Sequence, residues 1–124
     1  MKKGDIVKAK NRGKNFHPIV FLEHENDGSF SACIITHGDV NGNVKMEEEH
    51  FSKVDDNHQA YPIQYDNSYF VCERLSKKYS WITNRTVKGK LTEEGIKFVE
   101  SMIPKKSKSR PNPVWDWVEE DDED

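Results

Sequence analysis

Long apolar runs are missing from this sequence. No segment approaches the roughly 20 consecutive apolar residues a membrane-spanning helix needs. The basic start, MKKGDIV, is not followed by an apolar stretch of signal-peptide length. Cysteine is scarce as well: Cys33 and Cys72 are the only two, both within apolar runs and without the paired spacing of a disulfide framework. They read as buried free thiols, and the chain reads as a cytoplasmic protein without membrane partners. Apolar residues make up 34% of the chain against 33% charged, so any core must be small. There is no excess of positive charge, the formal net charge being −3. That negative balance sits at one end. Residues 104–124 hold four basic and seven acidic side chains, which leaves fifteen of each sign in residues 1–103. A neutral body gives no global electrostatic argument for nucleic acid, and none against a local basic patch.

What is present is a succession of short β-type segments, in a length that suits one domain. Residues 3–10 form a first strand entered through Gly4-Asp5, and the polar stretch NRGKN at 11–15 reads as a loop. Residues 18–24 (PIVFLEH) are β-branched and aromatic, too short for a helix, and begin with a proline as strands can. The ENDG stretch at 25–28 is a hairpin signal, because Asp and Gly tolerate the positive φ of tight turns. Residues 29–36 (SFSACIIT) are the returning strand. The polar stretch 37–67 carries isolated apolar anchors, with short strands expected near 44–46 and 52–54. Further strands are expected at 68–74, 79–83 and 86–91.

Thr92 followed by Glu93 and Glu94 marks the start of a helix, with acids where the helix dipole favours them. Ile96, Val99, Met102 and Ile103 recur at helical spacing as one apolar stripe, and Pro104 ends it. The expected fold is mainly β: five to seven short strands in a small barrel or strongly curved sheet, with one C-terminal α-helix, over residues 1–103. Residues 104–124 form a charged tail whose composition predicts disorder. Trp115 and Trp117, in their acidic setting, give that tail a second reading as a docking segment.

The hairpin brings chemistry together. If Asp27-Gly28 are the central residues of the turn, His17 falls opposite Gly38; if Asn26-Asp27 are, it falls opposite Thr36. Either register brings His17 within one or two residues of Thr36 and His37, at the open end of a two-stranded ribbon. The loop carrying Arg12, Lys14 and Asn15 arrives at the same end. A histidine titrating near neutrality, a hydroxyl, a second histidine and two cations are the parts that cleavage of a phosphodiester by its own 2′-hydroxyl requires. That chemistry calls for no cofactor. The alternative is that both histidines are ordinary polar residues at strand ends. His24, His50, His58 and the two cysteines offer no close pair of zinc ligands. The acidic runs at 47–49 and 55–56 read as solvated faces. Tyr79 and Trp81 read as core or dimer contacts rather than base-stacking platforms.

Taken in order, Gly4-Asp5-Ile6-Val7, a polar loop into His17-Pro18-Ile19-Val20, and Ala32-Cys33-Ile34-Ile35-Thr36 resemble the MazF/PemK family of bacterial toxins. Lys88-Gly89-Lys90-Leu91-Thr92-Glu93-Glu94 is similar to the family's lead into its closing helix. The likeness covers residues 3–38 and 68–103. It implies an SH3-like barrel, a homodimer, and metal-independent cleavage of single-stranded RNA, with an antitoxin protein as partner. The family's two catalytic positions fall on His17, where the family carries arginine, and on Thr36, which matches. Histidine serves as an acid or base but cannot grip phosphate with a permanent bidentate charge. Arg12 and Lys14 are the expected substitutes for that charge, and His37 a second proton carrier. Two functions follow: a toxin-like endoribonuclease, or a noncatalytic SH3-like module that binds nucleic acid or a protein.

Overall fold

In the computed structural model, which describes residues 1–10, 16–36, 43–61 and 68–103, the chain enters its first strand through a turn at Gly4. Gly4 has φ +94°, and a Cβ there would meet Ile96 of the C-terminal helix at 2.7 Å. Its N–H donates to Phe21 O and its carbonyl accepts from Leu91 N, at 2.8 and 2.9 Å. A side chain here would strain the backbone and push away the helix at once. The first strand, β1 (Asp5–Lys10), pairs antiparallel with β2 (Phe16–His24), and β2 with β3 (Phe30–Thr36). β2 thus begins two residues before Pro18.

At its turn the β2–β3 hairpin matches neither of the two registers expected, whereas from Phe21 to Ile19 it follows the one that leads His17 towards Thr36. Glu25 N donates to Ser29 O and Gly28 N to Glu25 O, so the loop is Asn26-Asp27-Gly28, with Gly28 at φ +88°. Asp27 Oδ1 accepts from the Ser29 N–H at 3.0 Å and from the Ser29 hydroxyl, and these bonds hold its carboxyl below the usual range. Next to the turn His24 opposes Phe30 and Glu23 opposes Ser31, but Phe21 opposes Ala32. Leu22 is therefore the extra residue of a β-bulge, and beyond it the strands run in a register one residue shifted from that of the turn.

Three short strands and one long one complete the sheet: β4 (Val44–Lys45), β5 (Tyr69–Phe70), β6 (Leu75–Lys77) and β7 (Ile82–Lys90). The order is β4-β5-β3-β2-β1-β7, with β6 also paired to β3, and all recorded pairs are antiparallel. Among the described residues the protein is mainly β, seven strands in one sheet, with one α-helix, α1 (Glu93–Met102). No helix among the described residues is long and apolar enough to cross a membrane.

Three expected strands are corrected. Residues 51–54 form isolated bridges in place of a strand, Phe51 with Leu91 and Val54 with Ala60, and Val54 stays 39% exposed. The stretch 68–74 is strand only at Tyr69–Phe70. It gains two residues on β3 between the pairs Ile35–Phe70 and Ala32–Leu75, which takes Arg74 under the sheet before β6 resumes. Residues 79–81 form a 3-10 turn, Trp81 N donating to Lys78 O, and the strand beyond it continues unbroken through 84–85. Packing overrides the alternation there, since Trp81 is fully buried and lies 6.3 Å from the Phe30 ring. The tail at 104–124 lies outside the described residues.

Both faces of the central strands are buried. On one, Ile6, Val20, Leu22, Cys33, Ile35 and Phe70 meet Leu91, Val99 and Ile103; on the other, Val7, Ala9, Ile19, Phe21, Phe30 and Ile34 meet Leu75 and Trp81. Helix α1 closes the first face as its sequence dictates. Thr92 is the N-cap, its hydroxyl accepting from Gly95 N at 3.1 Å and donating to Glu49 O at 2.8 Å. Val99 and Ile103 are buried, each worth about 1.5–3 kcal/mol, whereas Met102, expected in the stripe, is 47% exposed. Phe98 fills in beside them, its ring 4.3 Å from that of His50. The buried Arg74 guanidinium ties helix to sheet, lying 3.8 Å from Glu100 and 3.3 Å from Ser31 Oγ.

The seat of α1 depends on Gly95, where a Cβ would fall 2.2 Å from the His50 carbonyl oxygen, which already accepts from Thr92 N. Gly95→Ala is expected to lower the unfolding free energy by about 1–3 kcal/mol through overpacking, although alanine is favoured in helices by roughly 1 kcal/mol. Urea denaturation checks this; an unchanged or raised midpoint contradicts the contact.

Candidate functional site

The pairing places a row of side chains across one face of the sheet. Ile82 opposes Ala9, and Ala9 opposes His17. On the far side Thr36 opposes Tyr69, and Tyr69 opposes Lys45. Between the two halves lies the shifted β2–β3 register, recorded as far as Ile19–Ile34. Pro18, which brings no N–H to a ladder, follows at that end. Continued through it, the same register sets His17 opposite Thr36. Directly opposed residues share a face of a sheet, with Cβ atoms roughly 5 Å apart. On that continuation Ile82, Ala9, His17, Thr36, Tyr69 and Lys45 fall on one line, over strands about 4.8 Å apart.

Burial grades along this line. Ile82 and Ala9 belong to the core, His17, Thr36 and Tyr69 are half-buried, and Lys45 is exposed. His17 turns its Nδ1 out of contact with solvent. Lys45 Nζ lies 5.3 Å from the centroid of the Tyr69 ring. A titratable imidazole, a hydroxyl, a phenol and a cation thus stand side by side where the core gives way to water.

Of the residues expected to act, His17 and Thr36 stand at the same end of adjacent strands, each two residues past the last β2–β3 pair, Ile19–Ile34. Arg12, Lys14, Asn15 and His37 lie outside the described residues. Sequence reasoning missed Tyr69 and Lys45. Strands were expected at both places, but nothing in the stretch between them indicates that they pair with each other and with the end of β3.

A concavity of about 410 Å³ opens at the other end of β1 between Asp5, Asp55, Asp56, Tyr61, Lys2 and Lys90. Burial, with the three nearby aspartates, pushes the Tyr61 phenol above its usual range. Its charges are of both signs, Lys90 lying 3.5 Å from Asp56. Comparison with protein-family models, with curated proteins and with solved structures finds no match.

Neither cysteine supplies a nucleophile. Cys33 is fully buried and its thiol is pushed up to about 12, burial being the main cause. Cys72 is half-buried, and burial raises its thiol as well. With Ellman's reagent at pH 8, the native chain is expected to release one equivalent slowly, from Cys72, and the second only in denaturant. Prompt release of two equivalents from folded protein contradicts the burial of Cys33.

Proposed function

We propose that this protein is an endoribonuclease that cleaves single-stranded RNA without a metal ion, in the manner of the MazF/PemK toxins it resembles. The observation that supports this is that His17 and Thr36 end adjacent strands on the same side of the sheet, two residues past the pair Ile19–Ile34, at the edge of the core. His17 Nε2, the ring nitrogen other than the enclosed Nδ1, takes the proton from a ribose 2′-hydroxyl. The O2′–P bond forms and the P–O5′ bond breaks, leaving a 2′,3′-cyclic phosphate and a 5′-hydroxyl. The departing oxygen takes its proton from the imidazolium, from His37 or from water. Thr36 donates its hydroxyl hydrogen to a non-bridging phosphoryl oxygen, whose charge grows as the bonds exchange. The permanent positive charge that arginine brings to the family comes here from Arg12 and Lys14 on the loop before β2, with Asn15 as a further donor. A homodimer and an acidic antitoxin partner belong to the same proposal.

The test is cleavage of single-stranded RNA in EDTA by the wild type, His17→Ala and Thr36→Val. Removing a general acid–base group is expected to cost roughly 10²–10⁴-fold in rate, and Thr36→Val roughly tenfold or more, the equivalent of one hydrogen bond to a charged group. Both variants are expected to keep the wild-type melting temperature to within a few degrees. RNA left intact by the wild type at high dose overturns the reading and favours a binding module; cleavage that survives His17→Ala removes the histidine from the mechanism.

A further inference from the structure

Tyr69 is the residue of this row that the fold has least use for. Its phenol hydroxyl makes no hydrogen bond among the described residues, and its ring joins neither apolar cluster, whereas Tyr79 packs on the second of them. Its recorded contact is the ammonium of Lys45, which has no carboxylate partner among the described residues. Lys45 stands on β4, the last strand on that side of the sheet among the described residues. A half-buried aromatic ring one strand from Thr36, flanked by an exposed cation, has the chemistry of a nucleotide-binding subsite. The ring offers a face to a base and the ammonium a charge to a phosphate.

We infer that Tyr69 and Lys45 hold the nucleotide next to the phosphate seated at His17 and Thr36, the ring stacking on its base and the ammonium contacting the phosphate beyond it. The inference rests on the endoribonuclease reading for what His17 and Thr36 do to the chain so held. The geometry follows from the pairing alone. Adjacent strands are about 4.8 Å apart, so the ring lies one step from the Thr36 backbone and two from that of His17. A single strand laid across the β-strands, from His17 towards the sheet edge, meets imidazole, hydroxyl, aromatic ring and cation in that order. Stacking on a tyrosine is tolerant of base identity, so this subsite sets affinity and position along the RNA rather than a strict sequence.

The experiment is fluorescence anisotropy of the full chain with a labelled single-stranded oligonucleotide that is 2′-O-methylated throughout and so cannot be cleaved. Tyr69→Phe, which keeps the ring, is expected to bind as the wild type does. Tyr69→Leu is expected to bind roughly five- to a hundredfold more weakly. Lys45→Gln is expected to reduce the slope of log K against log salt by about 0.7, the loss of one phosphate contact on a single strand. Circular dichroism of each variant confirms folding, and Tyr69→Phe with Lys45→Gln carries the test if Tyr69→Leu does not fold. Equal affinity for wild type and Tyr69→Leu, equal weakness of the Phe and Leu variants, an unchanged salt slope for Lys45→Gln, or no binding by the wild type overturns the subsite. Its failure and that of the cleavage reading are separable. Tyr69-dependent binding with RNA left uncut retains the subsite and removes the nuclease; cleavage that ignores Tyr69 does the reverse.

Discussion

Phe21 and Leu22, neighbours in sequence, are each 1% exposed yet belong to opposite cores. Cys33 and Ile34, both fully buried, are divided between the two cores in the same way, so the middle of the β2–β3 ribbon is apolar on both sides. A strand that slips by one residue exchanges its faces. Where one face is wet, the cost of slipping is the exposure of one apolar set. Here two differently shaped cores would have to be refilled at once, against the side chains of α1 on one side and Trp81 on the other. Everything laid over this ribbon inherits its fixed register: β1 along β2 and β7 along β1, β5 and β6 along β3, and the row that ends in Tyr69 and Lys45.

The helix contributes a different kind of constraint. α1 is ten residues long, marginal as an isolated helix, and it is held by a few specific contacts. These are the Thr92 cap shared with Glu49, the carbonyl of His50 against Gly95, the approach of Ile96 to Gly4, and the guanidinium of Arg74 near Glu100. Glu100 also accepts from Lys3 at 2.9 Å, which draws the start of the chain to the same helix face. Exposed ion pairs are individually weak. Arg74 differs because its side chain is only 6% exposed, so its position is set by packing as well as by charge. The result is a sheet whose first face is sealed from the end opposite the His17 row, leaving that row without structural duties towards the helix.

The parts of the fold that could be read from residues are those whose causes are local. Asp27 and Gly28 announce the hairpin by their own conformational preferences, and Thr92 with two glutamates announces the helix. The bulge at Leu22 could not be read, because the PIVFL run is apolar at every position and carries no alternation to betray an extra residue. The 3-10 turn at 79–81 was hidden for a related reason: the alternating aromatics suit a strand, and only the space beside Phe30 decides that Trp81 turns in. The same division runs through the site. Counting back from a hairpin was enough to bring His17 and Thr36 together. Tyr69 and Lys45 join them only through the outer edge of β3, and no turn chemistry encodes that pairing.

The extra residue at Leu22 separates the two ends of the ribbon. If the loop's own register ran unbroken along the strands, residue 17 would stand across from His37; the register past the inserted position, seen at Ile19–Ile34, points to Thr36 instead. The three-residue loop at Asn26–Gly28 and the far end are thus not rigidly geared, because a kink lies between them and absorbs the difference. A lineage could therefore exchange this tip for a tighter two-residue bend by losing the kink in the same step, and the opposite end would keep its facing pair. The two changes compensate one another; losing the kink alone would set residue 17 across from His37, and tightening the bend alone would set it across from Ile35.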